Sequence, residues 1–163
     1  MSRRTIYLLI AVAVVLLDRW TKHLVVQKIS LYSAIQVIPG FFSLTHVRNR
    51  GAAFSILADS ASPYRTVFLI GFSAISVLIL VWLLWKSGDL RVITGVSLSL
   101  ILGGAAGNLF DRIAYGEVVD FLLLYYRRWE WPAFNVADSA IVIGGILLLI
   151  EALLPQRQSP ERR

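Results

Sequence analysis

The chain has no cysteine, which excludes disulfides, thiolate metal sites and a cysteine nucleophile together. Histidine occurs only at His23 and His46, in no HExxH setting, which argues against a zinc protease of that type. No Walker A loop is present, and no serine stands in a G-x-S-x-G context. Charge is scarce: Asp, Glu, Lys and Arg make up 16% of the 163 residues. Carboxylates are the best chemical groups left.

Apolar side chains are abundant. The chain is 57% hydrophobic with a mean hydropathy of +0.70. A soluble domain of this size cannot bury that much, so lipid is the solvent for much of the chain. The formal net charge of +6 then fits loops anchored to anionic lipid better than a nucleic-acid partner.

A helix needs roughly 20 apolar residues to cross a bilayer. Four stretches qualify: about 5–26, 67–85, 92–113 and 135–154. The first follows Arg3 and Arg4 as a signal peptide would, but Asp18, Arg19 and Lys22 stand where a cleavage site would be, so it reads as a retained span. Four spans place both termini on one side. Raw counting of Lys and Arg does not choose the side, and the short 86–91 turn, anchored by Trp82, Trp85 and Lys86, assigns the termini to the cytoplasm. Segments 27–66 and 114–134 are then outside. Residues 34–48, "AIQVIPGFFSLTHVR", are β-branched and aromatic around Pro39-Gly40 and read as a hairpin or small sheet at the membrane surface. Residues 121–134 carry six aromatics and read as an interfacial belt. No internal repeat is present, and the tail "PQRQSPERR" reads as disordered. The whole of 1–163 reads as one membrane domain.

Ionisable residues near lipid are expensive and tend to be paired or functional. Asp18 and Lys22, four apart on one helix, are expected to form a self-satisfied pair. In "RNRGAAF", Asn49 precedes Arg50-Gly51; the stretch is a tight turn, or a surface that holds a peptide substrate. In "LGGAAGNLFDR", Gly103, Gly104 and Gly107 favour close helix packing. Asn108 and Arg112 share a face, and Asp111 with Arg112 is expected to cap or pair locally. In "FNVADSAI", Asn135 is a natural N-cap and Asp138 occupies the capping-box position, at or just above lipid depth. Asp120 has no such local task. Its neighbours are apolar, Glu117 is a like charge, and no cation lies within five residues. It must find a partner in space or remain neutral.

Two carboxylates brought together share a proton, with one acting as base on water and the other as acid on a carbonyl. Asp111 or Asp120 with Asp138 would meet that need. Asp120 is mildly preferred, because Asp111 has Arg112 beside it.

The motifs "LLDRWTK", "RNRGAAF", "GGAAGNLFDR", "VVDF" and "FNVADSAI" occur in that order. With four spans and this length, the chain resembles the bacterial lipoprotein signal peptidases, the signal peptidase II family, over about residues 5–155. That resemblance implies an all-α membrane protein: a four-helix transmembrane bundle with a small extracytoplasmic β-sheet cradle and a short, mobile interfacial helix. It implies an aspartic endopeptidase of the bacterial cytoplasmic (inner) membrane, with its active site near the outer face. The reaction would remove the signal peptide of diacylglyceryl-modified prolipoproteins, before the lipidated cysteine. It implies no metal or organic cofactor, and inhibition by globomycin-type peptides. Membrane lipids are the expected surroundings and a monomer the expected state. Carried over, the catalytic pair falls on Asp120 and Asp138, and the supporting residues on Asp18, Lys22, Asn49, Asn108, Asp111, Arg112 and Asn135. Arg50 departs from the pattern, standing where a smaller polar residue is familiar, and is expected to alter contacts to lipid head groups or substrate. Segments 34–48 and 121–134 would form two sides of a clamp over the substrate, with the acyl chains against an apolar wall between helices.

A small transporter or proton channel also uses buried carboxylates, but would need polar groups through the full membrane depth. Here they gather at one face, and the inner halves of the second and fourth spans are apolar. A structural assembly factor would explain the glycines but not Asp120.

Overall fold

The computed structural model describes residues 2–51, 64–86 and 90–154. Its elements are α1 (Arg3–Lys28), β1 (Ala34–Ile38), β2 (Phe42–Asn49), α2 (Arg65–Lys86), α3 (Val92–Tyr115), β3 (Val118–Tyr126), β4 (Trp129–Glu130) and α4 (Val136–Leu153). Each apolar stretch found in the sequence is a helix, with ends within about two residues of those expected. The tail after Leu154, Asp59, residues 52–54 of "RNRGAAF" and the centre of the 86–91 turn lie outside the described residues. No helix other than these four occurs among the described residues, so the short interfacial helix is not found there.

Helices α2, α3 and α4 are long and apolar enough to cross a membrane. Protein covers only 11% of the apolar window of α2 and 17% of that of α4. Phe72, Leu78 and Leu149 are each at least 60% exposed. A continuous apolar surface of this kind is not tolerated in water, so lipid must cover it. Helix α1 is also long enough, at 26 residues, but its charge load is higher: Arg3 and Arg4 begin it and Asp18, Arg19 and Lys22 interrupt its second half.

Helix α3 is central and packs against α1, α2 and α4. Its glycines make this possible. A Cβ at Gly104 would stand 2.3 Å from the carbonyl oxygen of Ala137 in α4, and one at Gly107 would stand 2.9 Å from Oδ2 of Asp18 in α1. The glycine run therefore sets the spacing of three helices, as its small-residue pattern suggests. One apolar cluster, around Tyr7, Ala11, Leu84, Leu98 and Leu102, packs α1, α2 and α3 together. A second joins α1 to β3 through Val25, Ile29 and Phe121.

The strands form one antiparallel sheet in the order β1-β2-β3-β4. The hairpin expected around Pro39-Gly40 is present, with Gly40 at φ +78° in its turn. The two-sided clamp is corrected, however. Strand β3 pairs directly with β2, for example Leu44 with Leu122 and Val47 with Asp120. The hairpin and the aromatic segment are thus adjacent strands of one wall. β-rich segments with open edges satisfy their backbone groups by pairing, which opposed walls would not do.

Three local devices position β3. Gly116 ends α3 in the left-handed conformation (φ +73°), and its N–H donates to the carbonyl of Arg112. The β2–β3 register shifts between Leu44 and Val47, a bulge immediately beside Asp120. Finally, the carbonyl of Phe134 accepts from the N–H groups of Phe121 and Leu122 at 2.9 and 2.8 Å, and the Phe134 N–H returns to the Leu122 carbonyl at 3.1 Å. This ties the residue before Asn135, the N-cap of α4, to the residues after Asp120.

Candidate active site

Asp120 is 3% exposed and has no cation as hydrogen-bond partner among the described residues. Two amides hold it instead: Asn49 Nδ2 donates to Oδ2 at 3.0 Å, and Asn135 Nδ2 donates to Oδ1 at 2.7 Å. Asn49 is itself fixed, because its Oδ1 accepts from the Gly51 N–H at 2.8 Å. The turn expected of "RNRGAAF" is present at Asn49–Gly51, and it aims the Asn49 amide at Asp120.

Asn135 is fully buried and works in two directions. Its Oδ1 accepts from the Asp138 N–H at 2.9 Å, and Asp138 Oδ2 accepts from the Asn135 N–H at 3.2 Å, a complete capping box. Capping needs the oxygen inward, so the NH2 group necessarily faces Asp120. Asp138 is half-buried. Its second oxygen, Oδ1, accepts from Asn108 Nδ2 at 2.8 Å. One buried residue thus touches both carboxylates, and the capping role of Asp138 does not compete with its place in the cluster.

The Asp18–Lys22 pair is present at 2.7 Å, but it is not self-satisfied. Lys22 Nζ also donates to Asp111 Oδ2 at 2.6 Å and to Asn108 Oδ1 at 3.1 Å. Asp18 Oδ1 accepts from the Ala137 N–H at 3.0 Å. An ammonium has three donors and, once desolvated, needs three acceptors, which two carboxylates and an amide supply. The local pairing of Asp111 with Arg112 is likewise corrected. Asp111 bonds Lys22 and Arg19 across the helix interface. Consecutive residues on a helix point about 100° apart, so Arg112 faces elsewhere. Its Nη1 donates to the Asn108 carbonyl at 3.2 Å and its Nη2 to the Gly51 carbonyl at 3.1 Å. Arg112 therefore pins the Asn49 turn to α3.

The electrostatics of the acids differ. Burial pushes the Asp120 carboxyl up, the nearby charge of Asp138 pushes it further, and the two amide bonds recover only part, leaving it at about 7. Burial also raises the Glu117 carboxyl, but bonds from Arg48 (2.5 Å) and Arg50 (3.2 Å) outweigh it and hold it below the usual carboxylate range. Arg50 thus has a partner within the protein, which the sequence does not reveal.

Asp138 stands between two apolar cavities. One, of about 300 Å³, lies among α2, α3 and α4, with Leu69, Phe72, Ile141 and Arg112 in its wall. The other, of about 340 Å³, lies between α4 and the sheet, with Leu124, Trp129, Trp131 and Phe134. A carboxylate at the junction of two such spaces can meet an extended, amphiphilic molecule whose apolar parts occupy both. No cluster of His, Asp or Glu suited to a metal ion occurs among the described residues.

Sequence reasoning missed Arg19, which bonds Asp111 and reaches the Tyr115 hydroxyl at 3.1 Å while lying over the Phe110 ring. Its position beside Asp18 in "LLDRWTK" was the available signal. It also missed the Ala137 N–H, which no side-chain pattern can indicate.

The fold and the cluster define a membrane enzyme: a solved structure described as a bacterial membrane enzyme superposes with a TM-score of 0.84 at 34% identity, covering 98% of this chain and 94% of the other. A second of the same description gives 0.79 at 35% identity, covering 94% and 95%. The family model described as signal peptidase (SPase) II matches residues 10–154. Lipoprotein signal peptidases of Solibacter usitatus and Syntrophotalea carbinolica are 50% and 48% identical, covering 92% and 90% of each chain. The chain belongs to the signal peptidase II family, and that membership makes it a peptidase.

Proposed function

We propose that the chain removes the signal peptide of diacylglyceryl-modified prolipoproteins, cutting before the lipidated cysteine, with Asp120 and Asp138 as the catalytic pair. The observation that carries this reading is the shared asparagine. Asn135 bonds Asp120 and caps against Asp138, so acids from a strand and a helix are held as one unit, with Asp138 lining two apolar cavities.

Asp138 begins ionised and Asp120 protonated. Asp138 takes a proton from water as the water oxygen bonds to the scissile carbonyl carbon. Asp120 gives its proton to the carbonyl oxygen, which yields a tetrahedral diol. Asp138 then passes its proton to the peptide nitrogen as the C–N bond breaks, and Asp120 recovers a proton from the diol as the new carboxyl forms. Both acids return to their starting states, so no other reactant is consumed. The apolar cavities would hold the acyl chains and the apolar part of the signal peptide, and exclude bulk water from the pair.

In this reading α1 also crosses the membrane, both termini lie in the cytoplasm, and the sheet faces the outer side of the bacterial inner membrane. Asn49, Asn108, Asp111, Arg112 and Asn135 support the pair and substrate, and Asp18 with Lys22 completes the network. Globomycin-type peptides would compete at the pair. The test is cleavage of a lipidated precursor by purified Asp120→Asn and Asp138→Asn. Each should lose at least about a hundredfold in turnover while keeping parental helicity and melting behaviour. Near-parental turnover in either variant would remove the pair from the mechanism.

A further inference from the structure

The amide of Asn108 lies between Lys22 and Asp138, and its orientation follows from what each neighbour can do. Lys22 is 2% exposed and offers only donors. The atom of Asn108 that meets it at 3.1 Å must therefore be the side-chain carbonyl oxygen. Asn135 Nδ2, another donor, approaches the same oxygen at 3.4 Å. With its oxygen held from two sides, Asn108 presents its NH2 to Asp138 Oδ1 at 2.8 Å. That contact is strong only when Asp138 is a carboxylate.

Lys22 is in turn held in place by Asp18 and Asp111 at 2.7 and 2.6 Å, and Asp18 is anchored to the N–H of Ala137, the residue before Asp138. Such a buried charge cluster is expensive to desolvate, and an apolar packing of the same volume would serve stability as well. Its place directly behind Asn108 calls for another explanation.

We infer that Lys22 is a positioning residue for the reaction: by holding the Asn108 side-chain carbonyl it keeps the Asn108 NH2 on Asp138, and so keeps Asp138 the ionised member of the pair. This rests on the proposed Asp120–Asp138 chemistry. Other charged groups facing Asp138 are Asp120 from β3 and Arg112 from α3. The walls from α2 and the sheet are Leu69, Phe72, Ser76, Leu124, Trp129 and Trp131, none of them ionisable in the working range. Among the described residues, Lys22 with Asp18 and Asp111 is thus the charge cluster that meets Asp138 through the Asn108 amide, while the Lys22 charge itself also favours the ionised form of Asp120; Asn108→Leu, which keeps that charge, separates the two effects.

The test compares pH–rate profiles for cleavage of a lipidated precursor. Lys22→Gln with Asp18→Asn removes the charges as a pair, and the amide oxygen introduced by Asp18→Asn can still accept from the Ala137 N–H. A Gln can face Asn108 with either end, so the Asn108 amide is no longer forced. The acid limb of the profile should move up by about one pH unit, a tenfold change in proton affinity, and the plateau should fall. Lys22→Arg, which retains donors, should leave that limb in place. Asn108→Leu tests the same link with Lys22 intact and should move the limb in the same direction. A loss of folded enzyme alone would lower the plateau without moving the limb. If the limb stays in place in Asn108→Leu, or in a folded Lys22→Gln/Asp18→Asn, the inference falls. If Asp120→Asn or Asp138→Asn still turns over, the reaction itself is wrong, and the two failures are told apart.

Discussion

In the proposed reaction Asp120 must still hold its proton at a pH where Asp138 has lost one. The environment of Asp120 supplies this. It is buried, beside another carboxylate, and bonded by amides rather than cations, which places it at about 7. A carboxyl raised in this way is active as an acid below that value and loses its proton as pH rises through it. The expected kcat/KM for a lipidated precursor therefore declines on the alkaline side with a midpoint near pH 7, and declines again in acid, where the pair as a whole takes up its second proton. A profile that is flat from about pH 4 to 9 would count against an acid–base pair. The sequence already marks Asp120 as the acid with no local task, because its neighbours are Val118, Val119, Phe121 and Leu122. It does not show that amides rather than a cation would receive it, since Asn49 and Asn135 lie 71 and 15 residues away.

Among the elements, α3 carries the geometry that the site depends on. Gly104 lets the α4 backbone approach at Ala137, one residue from Asp138. Gly104→Ala would place a methyl group 2.3 Å from the Ala137 carbonyl oxygen, so α4 must shift. We expect a lower melting temperature, with about 1–3 kcal/mol lost, and a turnover at least about tenfold lower because the pair is displaced. Gly145 in α4 meets nothing within 4 Å, and Gly145→Ala should leave turnover unchanged and stability equal or higher. Equal effects in the two variants would show that close approach is not what Gly104 provides. The start of α4 is equally legible: Asn135 with Asp138 reads as a capping box, and the box is present. The pairing of β3 with β2 does not follow from either strand alone, which is why the aromatic segment reads as a separate wall.

The whole molecule exposes apolar helix surface along α2 and α4 and gathers its buried charge at one end of the bundle, around Asp18, Lys22 and Asp111. That polarity favours a defined orientation in the bilayer, with the sheet at the outer surface in the proposed topology. Because the chain has no cysteine, single cysteines can report this directly. Ser33→Cys, on the exposed turn before β1, should react with a membrane-impermeant maleimide from the outer side of intact inner-membrane preparations. Arg3→Cys, at the exposed start of α1, should react only after the membrane is opened. The reverse pattern would invert the topology.

Composition and periodicity alone determined that lipid surrounds the chain, where four helices run, that a hairpin turns at Gly40, and which acid lacks a local partner. These follow from local chemistry: span length, turn residues, and the cost of a charge in an apolar run. The tertiary structure decided the rest. Asp111 turns away from its neighbour Arg112 because successive side chains on a helix diverge, and it meets Lys22 and Arg19 instead. Asp120 and Asp138 come together because Phe134 is hydrogen-bonded to β3 and because glycine lets α4 approach α3. Both are long-range contacts, set by backbone pairing and packing distance rather than by any residue's own preference.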